Sequence, residues 1–183
     1  MSVHFNEHWN QFGLIAELAD QLKNRSPKFG KTILQKLVYI IQEIYGVPCD
    51  YNYILYNYGP YSSELANDLS YFTLLEGVNV EWSGKGYEIS PSAKTEHFKE
   101  RANDFLAKNK DVILKTIENF GSMSAKELEL RSTIIFVDKQ ITNLDEEQKK
   151  DMIVNKVSEI KPHFTVEEIK NAYDELLDQQ FLA

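Results

Sequence analysis

Two histidines stand four apart near the start of the chain, His4 and His8, with Glu7 between them. On a helix this spacing puts both imidazoles on one face, an arrangement that ligates zinc. No third or fourth ligand lies nearby in sequence, and accidental spacing at a chain end explains the pair more simply. His97 and His163 are isolated. Cys49 is the only cysteine and follows Pro48 with no histidine close by. A nucleophilic thiol needs an adjacent base, whereas a lone cysteine is commonly a small buried hydrophobe. The carboxylate pairs Glu17 with Asp20 and Glu146 with Glu147 read as solvated helix faces. There is no nucleophile elbow and no dinucleotide fingerprint. Ser83-Gly84-Lys85-Gly86 reads as a hairpin turn, not a phosphate loop. The expectation is therefore a protein without catalytic residues, metal or cofactor.

Residues suited to binding are easier to find. Tyr51, Tyr53, Tyr56, Tyr58 and Tyr61 fall within eleven positions. In a strand, Tyr51 and Tyr53 share one face with Leu55, while Ile54, Tyr56 and Tyr58 share the other. One face must pack inward. The other is either covered by the carboxyl-terminal helices or exposed, where tyrosine is a favoured interface anchor. A basic run also stands out: Lys23, Arg25, Lys28, Lys31 and Lys36 occur with no acidic residue between them. It reads either as a patch that contacts phosphate or an acidic partner, or as a solvated loop in which Lys23 complements a helix carboxyl end.

The elements that position these residues follow from apolar spacing. Phe12, Ile15, Leu18, Ala19 and Leu22 make one stripe and predict a helix over about 8–23. Ser26-Pro27 reads as a start signal for a second, buried helix over about 31–45, ended by Gly46-Val47-Pro48. Residues 51–58 predict a strand that stops at Gly59-Pro60. Ser62 or Ser63 caps a third helix over about 64–76, terminated by Gly77. Residues 78–82 and 87–89 predict a β-hairpin around the glycine turn. Beyond Pro91 a polar helical stretch runs from about 93 to 120, with a break expected at Lys108-Asn109-Lys110-Asp111. Ser124 with Glu127, and Thr165 with Glu168, form capping boxes for later helices, with Phe164 and Ile169 as a hydrophobic staple. Another helix is expected over about 146–160.

The fold class this implies is α+β and mainly helical. A winged-helix-like module spans about 8–91, with the β-hairpin as its wing. A helical carboxyl-terminal module, 92–183, packs against it or continues it as one domain. At 183 residues the chain can bury an adequate core. The single cysteine permits no internal disulfide, which suits a reducing cytoplasm. The first residues lack the basic flank and apolar run of a signal peptide, and no stretch approaches a membrane span. A cytoplasmic location is expected.

The net charge is −8, spread evenly: six basic and ten acidic residues up to Ser90, fourteen and eighteen after it. Bulk charge does not mark either half as a nucleic-acid module. In a DNA-binding winged helix, the helix before the wing usually enters the major groove. Here that helix carries Glu64, Asp68 and Glu76 and no lysine or arginine, and the wing offers only Lys85. Carboxylates facing a phosphate wall oppose such binding.

The stretch Lys31-Thr32-Ile33-Leu34-Gln35-Lys36-Leu37-Val38-Tyr39, followed by Tyr56-Asn57-Tyr58-Gly59-Pro60-Tyr61-Ser62, resembles the YwgA-like family. More distantly it is similar to the Panacea or SocA-like antitoxin-associated domain, in which a leucine-lysine-leucine-tyrosine helix precedes a glycine-proline turn. The stronger part of the likeness covers about 30–90; the tail from Lys161 to Leu182 fits the YwgA-like pattern loosely. The resemblance implies a bacterial, archaeal or phage setting. It also implies a binding role, since Panacea-type domains neutralise toxins or act as adaptors that present a partner.

Residues and resemblance together favour recognition of another protein, in an antitoxin-like, adaptor or regulatory role. The candidate contact residues are Tyr56, Tyr58 and Tyr61 with the basic Lys28 and Lys31. The alternative is a DNA-binding winged-helix regulator, with which a homodimer joined through the carboxyl-terminal helices is compatible. An enzyme of unrecognised type comes third.

Overall fold

A computed structural model describes residues 8–141 and 145–182. Among them are eight helices and two antiparallel hairpins, in the order α1 (Trp9–Leu22), α2 (Lys31–Tyr45), β1 (Ile54–Tyr56), β2 (Gly59–Tyr61), α3 (Ser63–Leu74), β3 (Val78–Trp82), β4 (Tyr87–Pro91), α4 (Thr95–Arg101), α5 (Asn103–Phe120), α6 (Ala125–Asp138), α7 (Glu146–Ile160) and α8 (Val166–Asp178). The class is α+β and mainly helical. One continuous hydrophobic core runs from Phe12 on α1 through Leu37 and Ile41 on α2 to Ile134, Val157 and Leu176 on the later helices. Helix α2 is at its centre, packed against α3, α5 and α6. This follows from its composition, because a helix apolar on more than one side must be covered on more than one side.

The helix ends mostly obey local chemistry. The Ser62 hydroxyl accepts from Leu65 N and starts α3. Both capping boxes form, at Ser124 with Glu127 and at Thr165 with Glu168. Phe164 and Ile169, the expected staple, are both buried. Gly46 ends α2 in the left-handed conformation, its N–H bonded back to Gln42 O.

Four local expectations are corrected. Helix α2 does not start at Ser26-Pro27, whose peptide bond is cis; its N-cap is Gly30. Ile89 N on β4 donates to Phe29 O at 2.7 Å and Gly30 bridges Glu88, so the chain is held extended until Lys31. Residues 51–58 are not one strand. Gln42 grips Tyr51 through both its amide nitrogen and its carbonyl oxygen, and only Ile54–Tyr56 is regular. Gly59-Pro60 then does not stop a strand but begins the return strand, with Tyr56 opposite Gly59 and Ile54 opposite Tyr61. Helix α3 closes with the left-handed residue at Glu76, φ 60°, and not at Gly77, whose N–H donates back to Phe72 O at 2.9 Å. Finally, the long helix breaks at Ala102, not at Lys108–Asp111. There α4 crosses α1 so closely that a Cβ on Gly13 would lie 2.1 Å from that of Ala102. The bend is set by this crossing, which local propensity does not encode.

Candidate functional site

A cleft of about 290 Å³ opens between α2, α3 and the β1–β2 hairpin. Its walls are helical faces. Lys31, Thr32, Gln35 and Lys36 come from α2, and Leu65, Ala66, Leu69 and Ser70 from α3. In each helix these are positions i, i+1, i+4 and i+5, which share one side. The hairpin supplies Tyr56, Tyr58 and Tyr61 at the rim. The structure thus brings together four of the five residues singled out above: the three tyrosines and Lys31.

The tyrosine segment divides by face. Tyr51 is buried and Tyr53 half-buried, while Ile54, Tyr56 and Tyr58 face outward. Tyr56 is 57% exposed and Tyr58, in the hairpin turn, 65%. The Tyr51 hydroxyl donates to Asp68 at 2.8 Å; burial, and then this carboxylate, push its ionisation well above the ordinary phenol range. The inner tyrosines therefore build the fold. The outer ones stand free: Tyr56 and Tyr61 rings lie 5.8 Å apart. Lys31 extends this surface toward the second hairpin. Its amine sits 3.9 Å above the Tyr87 ring, and Tyr87 packs edge-on against exposed Trp82 at 5.3 Å.

The basic run does not assemble into one patch. Lys28 pairs with Glu88 at 3.0 Å, away from the cleft. Lys23 pairs with Asp20 at 2.8 Å, and Arg25 is exposed in the loop. Lys36, expected among the solvated cations, is only 2% exposed. It lies on the α2 face that turns inward against the hairpin, and its amine donates to Pro60 O at 2.7 Å. Burial pushes the Lys36 amine down to about 8, opposed by the Glu129 charge and helped by Lys161.

Lys36 belongs to a polar layer under the hairpin. Beside it, Gln35 donates to Ser62 O at 2.8 Å and accepts from Ser62 N at 2.9 Å. Below, buried Glu129 on α6 binds buried Lys161 at 2.9 Å and is approached by His163 at 3.3 Å. The Lys161 amine also donates to Tyr56 O and Asn57 O. The hairpin backbone is thus fastened from α2 on one side and from the α7–α8 turn on the other. Only the pairing of distant elements creates this layer. A signal was present only in that Lys36 interrupts the apolar run of α2.

Remaining chemical candidates fall to structural roles. Cys49 is buried, and burial pushes its thiol up to about 12, unsuited to nucleophilic use. His8 lies 3.1 Å from Asp68; His4 and Glu7 lie outside the described residues. No group of three or more metal-ligating side chains occurs among the described residues. On α3, Glu64 accepts from Asn52 N and its side-chain amide, and Asp68 is held by Tyr51 and His8. No helix among the described residues is long and apolar enough to cross a membrane. Comparison with models of known families, with curated proteins and with solved structures finds no match.

Proposed function

We propose that this chain is a non-catalytic binding protein that recognises another protein through the tyrosine-rimmed cleft. The observation that carries the reading is the outward exposure of Tyr56 and Tyr58 on a backbone fastened from beneath by buried side chains. Large rigid rings ordered before binding lose little entropy on contact, and such rings are frequent interface hot spots. Lys31, Tyr87 and Trp82 continue the surface. An antitoxin-like, adaptor or regulatory role in the cytoplasm agrees with the resemblance to the YwgA-like and Panacea-type domains. The element order α1, α2, β1–β2, α3, β3–β4 agrees with a winged-helix-like module whose wing is β3–β4.

Duplex binding through α3 has less support. Two of its carboxylates are engaged in holding the segment 51–52, and the nearby cations Lys28 and Lys23 are paired with acids. The test is recovery of a co-purifying protein from the native host with wild-type and Tyr58→Ala chains. Recovery should drop several-fold with the variant while its melting temperature stays put. Equal recovery removes this surface from the role; retention of the chain on duplex DNA that weakens steeply with salt would favour the nucleic-acid reading instead.

A further inference from the structure

The floor of the cleft combines two features that seldom share so small a space. One is apolar, built from Leu34, Leu65 and Leu69. The other is Lys36, a residue of the cleft wall whose side chain is almost wholly removed from solvent. A protonated amine has three donors. Here one goes to the neutral Pro60 carbonyl, and no carboxylate among the described residues pairs with it. Glu129, the acid whose charge reaches it, is already bound to Lys161. Two buried lysines therefore share one buried carboxylate, leaving a positive excess beside the cleft in a chain whose net charge is −8. A buried cation without an anion is costly, and a ligand that brings a negative charge offsets that cost.

We infer that the cleft receives the free carboxyl terminus of a partner chain whose last residue has an apolar side chain. This rests on the protein-recognition reading above and names the part of the partner that is recognised. The argument for a terminus is geometric. In about 290 Å³ there is room for roughly one or two residues, and a residue that carries both the anion and the apolar group fills it with the least chain. An internal aspartate or glutamate spends its side chain on the charge and needs a second residue to reach the leucine floor. A terminal leucine, valine or phenylalanine supplies both, and the tyrosine rim is left for the residues before it.

The experiment uses the full chain and a library of fluorescent hexapeptides, randomised at the last four positions, in free-acid and carboxamide forms. Free acids ending in an apolar residue should be retained, and amidation should weaken them about tenfold or more. Lys36→Met, close in volume, should abolish the acid-over-amide preference while the chain stays folded. The amidation comparison needs no variant, so it stands even if Lys36→Met misfolds. Equal binding of acids and amides overturns the inference, as does selection of internal acidic residues regardless of amidation, or no retained peptide. If retained peptides ignore amidation yet are lost with Tyr58→Ala, protein recognition survives and only the carboxyl-terminal chemistry falls.

Discussion

The β1–β2 hairpin has strands of three residues and the β3–β4 hairpin strands of five, and the two are held in place by different kinds of contact. The longer one is held by its own ladder and by backbone contacts of β4 with Phe29 and Gly30. Five residue pairs run from Val78 opposite Pro91 to Trp82 opposite Tyr87; Val78 and Ile89 are buried in the core, and Val80 packs against it. The shorter one is too small to persist alone. Its backbone is positioned by Lys36, Gln35 and Lys161, reaching from α2 and from the α7–α8 turn. Both hairpins show aromatic rings to solvent, but the first shows them on a backbone fastened by buried polar side chains, the second on one held by backbone pairing. Buried polar contacts are weak contributors to net stability and strong ones to geometry. Their concentration beneath Tyr56 and Tyr58 is what singles out that surface.

The comparison breaks most visibly at Glu129. Glu129→Ala leaves Lys161 and Lys36 buried with no carboxylate, and removal of one partner of a buried ion pair costs about 3–5 kcal/mol. Urea denaturation should register a loss of that order, whereas Glu88→Ala, which frees the exposed Lys28, should change stability by less than about 1 kcal/mol. Equal effects would mean that the layer under β1–β2 has no special weight.

Alkaline pH probes the same layer through Lys36. Between about 8 and the ordinary lysine value of 10.5, the folded chain binds fewer protons at this site than the unfolded chain does. Stability attributable to Lys36 therefore rises with pH across that window, by up to about 3 kcal/mol, and is flat below it. The difference in stability between wild type and Lys36→Met should shift in the wild type's favour by that order between pH 8 and 10.5. A difference independent of pH would show that the amine is not desolvated.

These effects also mark where the sequence was legible and where it was not. Helices α1, α2 and α7 follow from apolar spacing, and the caps of α3, α6 and α8 from short-range chemistry. The inward and outward tyrosines follow from the two-residue period of extended chain. The return strand at Gly59-Pro60 pairs with the adjacent Ile54–Tyr56 and is obscured because a glycine-proline pair reads as a stop. Lys36 read as a surface cation because its acceptor, Pro60 O, and its nearest acid, Glu129, come from distant elements. The bend at Ala102 depends on Gly13, a whole module away. Four of the five candidate contact residues do converge, yet the buried lysine at the base of their cleft was assigned to the wrong environment.

A paired glycine substitution sharpens the contrast between the hairpins. Gly59 and Gly84 share a φ of 89°, so alanine is strained by about 1–2 kcal/mol at either. At Gly84 nothing lies within 4 Å of the added methyl, while at Gly59 it meets Thr133 Oγ1 at 3.1 Å and Ser132 Oγ at 3.2 Å. Gly59→Ala should cost about 1 kcal/mol more than Gly84→Ala in thermal denaturation. Equal costs would show that the first hairpin is free to lift away from α6.

The most direct measurement is a pair of dissociation constants for the co-purifying protein, one with Tyr56→Ala/Tyr58→Ala and one with Trp82→Ala. Truncation at a hot spot costs about 2 kcal/mol or more, a factor of about thirty in affinity. The tyrosine pair should show a loss of that size, the tryptophan a several-fold loss at most, and both variants should melt within a few degrees of the wild type. Undiminished affinity of the tyrosine variant, with the tryptophan variant carrying the loss, would contradict the assignment of recognition to the β1–β2 surface.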